Sequence, residues 1–204
     1  MSFYDRHILP YVIDLACGMK AVNRQRSKVV PQASGRILEI GIGTGLNLKH
    51  YQADLVDELT GLDPEMAMHR LAKKRLAQSG LQADLLELDA QSIPIDDNQF
   101  DSIVCTYTLC TIPDPNSALL EMRRVLRPDG KLLFCEHGKA PDAKVARTQD
   151  RLNPLWQRFA GGCNLNRAIP DLLTDAGFNV DKLEQMYIPG PRFATYNYWG
   201  TASK

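Results

Sequence analysis

The chain of 204 residues has no surplus of either charge: 24 Lys and Arg balance 24 Asp and Glu, so the formal net charge at pH 7 is zero. Without a positive field a protein does not gather nucleic acid by counterion release, and no nucleic-acid partner is expected. Cysteine is scarce and unpatterned. Cys17, Cys105, Cys110, Cys135 and Cys163 are odd in number and form no Cys-x-x-Cys. That argues against a disulfide scaffold, and no metal-ligand spacing with histidine is visible. Buried free thiols in a reducing cytoplasm are the expectation. Long apolar runs are missing too: the run from Ile8 to Met19 carries Pro10 and Asp14 and is too short for a bilayer. Asp5, Arg6 and His7 interrupt what would be a leader, so no signal peptide is read. No repeat, low-complexity segment or second domain is evident, and one domain over 1–204 is expected.

The informative residues concentrate in one stretch, Ile37-Leu38-Glu39-Ile40-Gly41-Ile42-Gly43-Thr44-Gly45-Leu46-Asn47. An apolar run with one carboxylate reads as a buried strand, the alternating glycines as a tight turn, and the segment beyond them as a helix start. Glycine lets the backbone take left-handed angles and lets a ligand approach where a Cβ would block it. A dinucleotide fingerprint starting at Gly41 needs glycine at 46, where Leu46 stands, so a nicotinamide-dependent oxidoreductase is disfavoured.

Residues 3–28 read as helix, with Ile8, Leu9, Val12, Ile13, Leu15 and Ala16 as a stripe that Pro10 divides or kinks. This N-terminal helical cap (1–30) is expected to cover the core or the site, with peripheral membrane contact as the alternative. From Arg36, strands 36–41, 58–62, 83–88, 101–106 and 131–136 alternate with helices 44–52, 65–79, 116–126 and 167–176. For helix 65–79, Asp63 reads as the cap, Pro64 as part of the first turn and Gly80 as the stop. Arg127-Pro128-Asp129-Gly130 signals a turn before the next strand. Such alternation predicts a doubly wound α/β sheet. Strand patterns 179–187 and 193–199, parted by Pro189-Gly190-Pro191, should pair antiparallel. Basic residues Arg70, Lys73, Lys74 and Arg75, then Arg123, Arg124 and Arg127, read as solvated helix faces.

The stretch Glu39-x-Gly41-x-Gly43-x-Gly45 resembles motif I of the class I S-adenosylmethionine-dependent methyltransferases. Three further segments agree in order: Gly61-Leu62-Asp63-Pro64, then Leu85-Leu86-Glu87-Leu88-Asp89-Ala90, then Phe100-Asp101-Ser102-Ile103-Val104-Cys105. Arg124 to Leu133 resembles the family's approach to the fifth strand, with Asp129 where glycine is commoner. The likeness covers residues 36–136, the expected cofactor-binding core. It implies a Rossmann-like fold with a seven-stranded, mainly parallel sheet and a C-terminal antiparallel hairpin. It implies S-adenosylmethionine as cofactor, with Glu39 orienting the turn and Gly41, Gly43 and Gly45 against the ligand. Asp63 would serve the ribose hydroxyls, and Asp89 with the Ala90 amide the adenine. Asn47, Pro64 and Thr106 complete the implied cofactor set.

Outside that core, Tyr4 to Leu15, Glu136-His137, Asn153-Pro154-Leu155-Trp156 and Gly161 to Arg167 are similar to the branch containing animal thiol methyltransferases and bacterial phospholipid and quinone methyltransferases. The resemblance implies a small apolar or amphiphilic acceptor, a thiol first, with a phospholipid headgroup or quinone at a membrane surface as the alternative. Residues 137–204 would supply the acceptor side. Tyr107 is a candidate for the cavity floor and His137 for a proton acceptor. Trp156, Phe159, Tyr196 and Trp199 read as pocket wall or core. Cys110 and Cys163, with no activating partner in sequence, read as inert.

Overall fold

The computed structural model describes residues 8–204, so residues 3–7 of the expected N-terminal helix lie outside the described residues. Five strands run parallel: β1 (Gly35–Ile40), β2 (Val56–Leu62), β3 (Asp84–Leu86), β4 (Phe100–Thr106) and β5 (Leu126–His137). β6 (Asn179–Tyr187) and β7 (Tyr196–Ser203) pair antiparallel, and β7 also pairs antiparallel with β5. The order across the sheet is β3-β2-β1-β4-β5-β7-β6. β1 and β4 are neighbours although β2 and β3 lie between them in sequence. The winding reverses there, and such a reversal opens a crevice beyond the carboxyl ends of the strands.

Both sheet faces are covered, which is why successive residues of β1 (37–40) and β4 (102–106) are buried. Leu38, Ile40, Ile103, Cys105, Leu132 and Phe134 pack into one core cluster. Ile37, Val104, Leu133, Cys135 and Trp199 pack into another. The alternation along each strand is the period-two signature of a pleated backbone.

Among the described residues six α-helices surround the sheet: α1 (Leu9–Cys17), α2 (Lys20–Val29), α3 (Met66–Ser79), α4 (Pro115–Val125), α5 (Ala143–Phe159) and α6 (Ile169–Asp175). Among the described residues the expected N-terminal helix is two. It breaks at Gly18, and Met19 is extended (ψ 146°) before the chain re-enters helix. Pro10 sits in the first turn of α1, where its missing N–H costs no helix bond and leaves α1 unkinked, and the stretch it was expected to divide from α1 lies outside the described residues. No α-helix forms over 44–52. The chain closes tight turns, with Gly45 N–H donating to the Ile42 carbonyl at 2.8 Å, and then a 3-10 turn at Leu48–His50. Asn47 and Tyr51 are drawn inward to Glu39, which an exposed helical surface would not allow.

α3 starts at Met66, so Pro64 precedes it. Asp63 is not its cap: Glu65 holds that position without a side-chain bond. Gly80, left-handed at φ 74°, ends α3 as expected. The Arg127–Gly130 segment is not a separate turn, since β5 runs through it. The pairing with β4 slips between Phe100↔Leu126 and Ser102↔Lys131, and this irregularity absorbs the extra residues. The last strand starts later than expected, at Tyr196, because Arg192–Ala194 form a 3-10 turn. α5 has no counterpart among the expected helices, because its internal Pro154 argues against one.

The basic residues are not all solvated. Arg75 pairs with Asp14 at 2.7 Å, tying α3 to α1. Arg124 binds Glu121 and the Ile93 and Ile95 carbonyls, each at 2.8 Å. Arg70, Lys73 and Lys74 are exposed. Among the described residues no helix is long and apolar enough to cross a membrane.

Candidate functional site

The crevice begins where β1 ends. Gly41 and Ile42 donate their amides to the Leu62 carbonyl at 2.8 and 3.0 Å, so the glycine turn is tied to the end of β2. Gly43 has φ 53°, and a Cβ there would meet nothing closer than Asp63 Oδ2 at 3.8 Å. The space beside it belongs to a cavity and not to packed protein, and its backbone angle favours glycine. Asp63 takes the Gly43 amide on Oδ2 at 3.0 Å and the Glu65 amide on Oδ1 at 2.9 Å. Burial pushes this carboxyl above its ordinary range, while those two amides pull it back.

A cavity of about 390 Å³ lies over the turn. Gly41, Gly43, Asp63, Pro64, Asp89 and Ala90 line it, joined by Thr106 and Tyr107 at the end of β4. Asp89 is exposed at the rim and accepts from Gln91 N and Nε2 at 2.9 and 2.7 Å. Glu39, Gly45, Asn47 and His137 do not line this cavity. Gly45 borders a separate hollow of about 450 Å³ between α1 and α3, which none of the other expected ligand groups reaches.

Glu39 and Asn47 form a polar layer beneath the floor. Glu39, 1% exposed, accepts from Asn47 Nδ2 at 3.0 Å and from the Tyr51 hydroxyl at 2.7 Å. Asn47 Nδ2 also donates to Thr106 Oγ1 at 2.9 Å. Burial drives the Glu39 carboxyl up to about 7, against the pull of Tyr51, Arg26 and Asn47. Glu39 therefore braces the turn from below.

Arg26, from α2, lines the cavity and was not among the residues expected there. It is 5% exposed, donates to Asn47 Oδ1 at 2.9 Å and to Thr106 Oγ1, and lies 4.8 Å from the centre of the Tyr107 ring. Its Nε is buried without a partner. The signal was its place on the helical stripe with Val22 and Val29, an arginine on the buried face.

Tyr107 lines the cavity. It has φ 54°, its amide donates to the Cys135 carbonyl at 2.8 Å and its hydroxyl to Asn197 Oδ1 at 2.5 Å. Burial raises its phenol well above the ordinary value, so the hydroxyl keeps its proton. His137 faces elsewhere: its Nε2 lies 3.2 Å from Cys163 Sγ and its Nδ1 is buried without a partner. Cys163 thus has the partner that sequence did not reveal. Cys110, and then His137, hold its thiol well below the ordinary value against the opposing effect of burial. Tyr196 and Trp199 are core. Trp156 packs edge-on against Phe193 at 6.0 Å, Phe159 is exposed, and neither lines the cavity.

A family model described as a methyltransferase domain matches residues 38–134. The thiol S-methyltransferase TMT1B of Homo sapiens is 33% identical over 163 residues, covering 77% of this chain and 66% of that protein. The phosphatidylethanolamine N-methyltransferase of Cereibacter sphaeroides is 31% identical over 133 residues, covering 63% of this chain and 64% of that one. The chain spans a little under two thirds of the length of these relatives. A solved methyltransferase structure from Thermotoga maritima shares the fold, with TM-score 0.67, 21% identity, and coverage of 98% of this chain and 97% of that one.

Proposed function

Because the chain belongs to the class I S-adenosylmethionine-dependent methyltransferases, we propose that it carries a methyl group from S-adenosylmethionine to a small apolar or amphiphilic acceptor, a thiol first. The observation that carries this reading is the convergence of Gly43, Asp63, Asp89, Ala90 and Arg26 on one cavity. Its volume of about 390 Å³ falls within the usual range of small-molecule sites. The open space at Gly43 and the unpartnered Arg26 Nε fit a backbone-hugging ligand that carries a carboxylate at one end. When bound, S-adenosylmethionine supplies a sulfonium-activated methyl group.

Each residue has a definable task. Asp63 has spent one acceptor position on each oxygen and keeps others for ribose hydroxyls. Asp89 and the Ala90 amide serve the adenine. Arg26 is the cation available to the carboxylate of the amino-acid end. Glu39, Gly45 and Asn47 hold the turn, and Pro64 and Thr106 complete the walls. Ile13, Leu88 and Ile112 give the cavity an apolar side that excludes water. A dry site favours transfer between a thiolate and a sulfonium, two charges that neutralise each other. No histidine lines the cavity among the described residues, and Tyr107 stays protonated. A thiol needs less acid–base machinery than an alcohol, which supports it as the first acceptor.

A second reading, methylation of a lipid headgroup at a membrane surface, is favoured by α1. Ile13 and Cys17 line the cavity, while Tyr11, Val12 and Leu15 on the same helix are exposed, Leu15 by 77%. The test is incubation with methyl-labelled cofactor and a panel of thiols, amines, phenols and phospholipids. Label is expected on a thiol. No heat of binding with S-adenosylhomocysteine at millimolar concentration would overturn the reading.

A further inference from the structure

We infer that Cys110, His137 and Cys163 form a binding site for a soft divalent cation, with zinc as the expected ion. The three residues come from different elements: the turn after β4, the end of β5 and the loop after α5. Their donor atoms, two sulfurs and one imidazole nitrogen, all lie within 4.8 Å of one another. His137 Nε2 and Cys163 Sγ are 3.2 Å apart. Around a tetrahedral zinc with metal–sulfur and metal–nitrogen lengths of about 2.3 and 2.0 Å, such atoms stand roughly 3.5–3.8 Å apart. The 3.2 Å separation is a few tenths of an ångström short of that range and none exceeds 4.8 Å, so a cation needs adjustments of about 1 Å or less to seat.

The donor chemistry is selective. Two thiolates with one imidazole suit zinc and disfavour magnesium or calcium. Among the described residues no fourth Cys, His, Asp or Glu joins the group, which leaves the fourth position to water. The frame around the donors is built. Asn164 donates to the Cys110 carbonyl through its amide at 2.8 Å and its Nδ2 at 2.9 Å, fastening the Cys163 loop to the Cys110 turn. Asn153 Nδ2 in turn donates to Asn164 Oδ1 at 3.3 Å. The His137 backbone is fixed by its pairing with Asn197 in β7. Nδ1 of the ring is buried without a partner, and the imidazole is oriented by Cys163 on its Nε2 side and by the Tyr107 ring stacked on it with centroids 6.5 Å apart.

The site lies one residue behind the cavity wall. Tyr107, Thr111 and Gly161 line the cavity, while the three donors do not. A bound ion would staple the loop carrying Gly161 to the ends of β4 and β5 and so fix the rim. This role does not depend on the methyltransferase reading.

Elemental analysis of protein purified under reducing conditions without chelator tests it. Zinc is expected at one equivalent per chain. Cobalt(II) chloride added to the chelator-stripped protein should give a thiolate-to-cobalt charge-transfer band with tetrahedral d–d bands. Cys163→Ala and His137→Ala should lose both signals, with cooperative urea unfolding reporting whether each variant is folded. Cys110→Ser supplies a milder variant should those fail to fold. Absence of zinc and of the cobalt spectrum in protein that still unfolds cooperatively in urea overturns the inference. A Cys110–Cys163 disulfide as the resting state under those conditions does the same. Zinc retained by protein that binds no adenosyl ligand would sink the cofactor reading and leave this one standing.

Discussion

The Gly43 amide donates to the Asp63 carboxylate at 3.0 Å, joining the turn after β1 to the end of β2. The same carboxylate holds the Glu65 amide at 2.9 Å. One side chain thus shapes both loops and still presents lone pairs to the cavity. Asp63→Ala should weaken S-adenosylhomocysteine binding by about 10- to 100-fold, the worth of a charge-assisted hydrogen bond or two. Isothermal titration measures this, and unchanged affinity would remove Asp63 from the ligand site.

Gly43→Ala tests the floor itself. The left-handed backbone at φ 53° costs a β-carbon about 1–2 kcal/mol, and the new methyl group enters the cavity. Ligand affinity should therefore fall more than the urea-unfolding free energy does. Equal losses in the two measurements would mean that the glycine serves only the turn.

The sheet was legible because its central strands are buried on both faces and stop at punctuated residues, Gly41 after β1 and Asp63 after β2. The cavity residues at those stops were legible for the same reason. Arg26 was not, since its stripe on α2 shows which face is buried but not what that face meets. Nor was the meeting of Cys110, His137 and Cys163, which sheet topology and the Asn164 clamp create over long sequence separations. The segment 44–52 misled because glycine alternation succeeded by leucine and lysine reads as a helix start. The buried demands of Asn47 and Tyr51 on Glu39 win instead. In α5, local propensity at Pro154 lost to tertiary packing.

Arg26 carries the third prediction. Arg26→Met keeps the length of the side chain and removes the cation and its bonds to Asn47 and Thr106. S-adenosylhomocysteine affinity should drop at least about tenfold, while adenosine, which lacks the carboxylate, should lose little. Arg26→Lys should restore part of the difference, because an ammonium gives the charge without the planar fork. Equal losses for both ligands would place Arg26 in the scaffold alone.

The outward stripe of α1 gives a fourth. Val12 and Leu15 are exposed, so Val12→Glu with Leu15→Glu should leave the unfolding free energy within about 0.5 kcal/mol of the parent. If the stripe meets lipid, the parent should float with phosphatidylethanolamine-containing vesicles and the double variant should stay behind. Identical flotation of the two would discard the membrane-surface reading.

The Glu39 carboxyl gives a pH signature whose sign is set by burial. Its folded value is raised to about 7 from an ordinary 4.5, so the native state keeps a proton that the unfolded chain has released. The stabilisation is fully present below the unfolded value and is lost as pH rises through the folded one. A difference of this size is worth about 3 kcal/mol as an order of magnitude. Between about pH 5 and 7 the urea midpoint of the parent should fall more steeply than that of Glu39→Gln, which fills the same space and does not titrate. Glu136, raised by burial to about 7 as well, titrates in both proteins and cancels in the comparison. Parallel profiles would show that Glu39 is ionised in the fold, held by Tyr51, Asn47 and Arg26 strongly enough to overcome its burial.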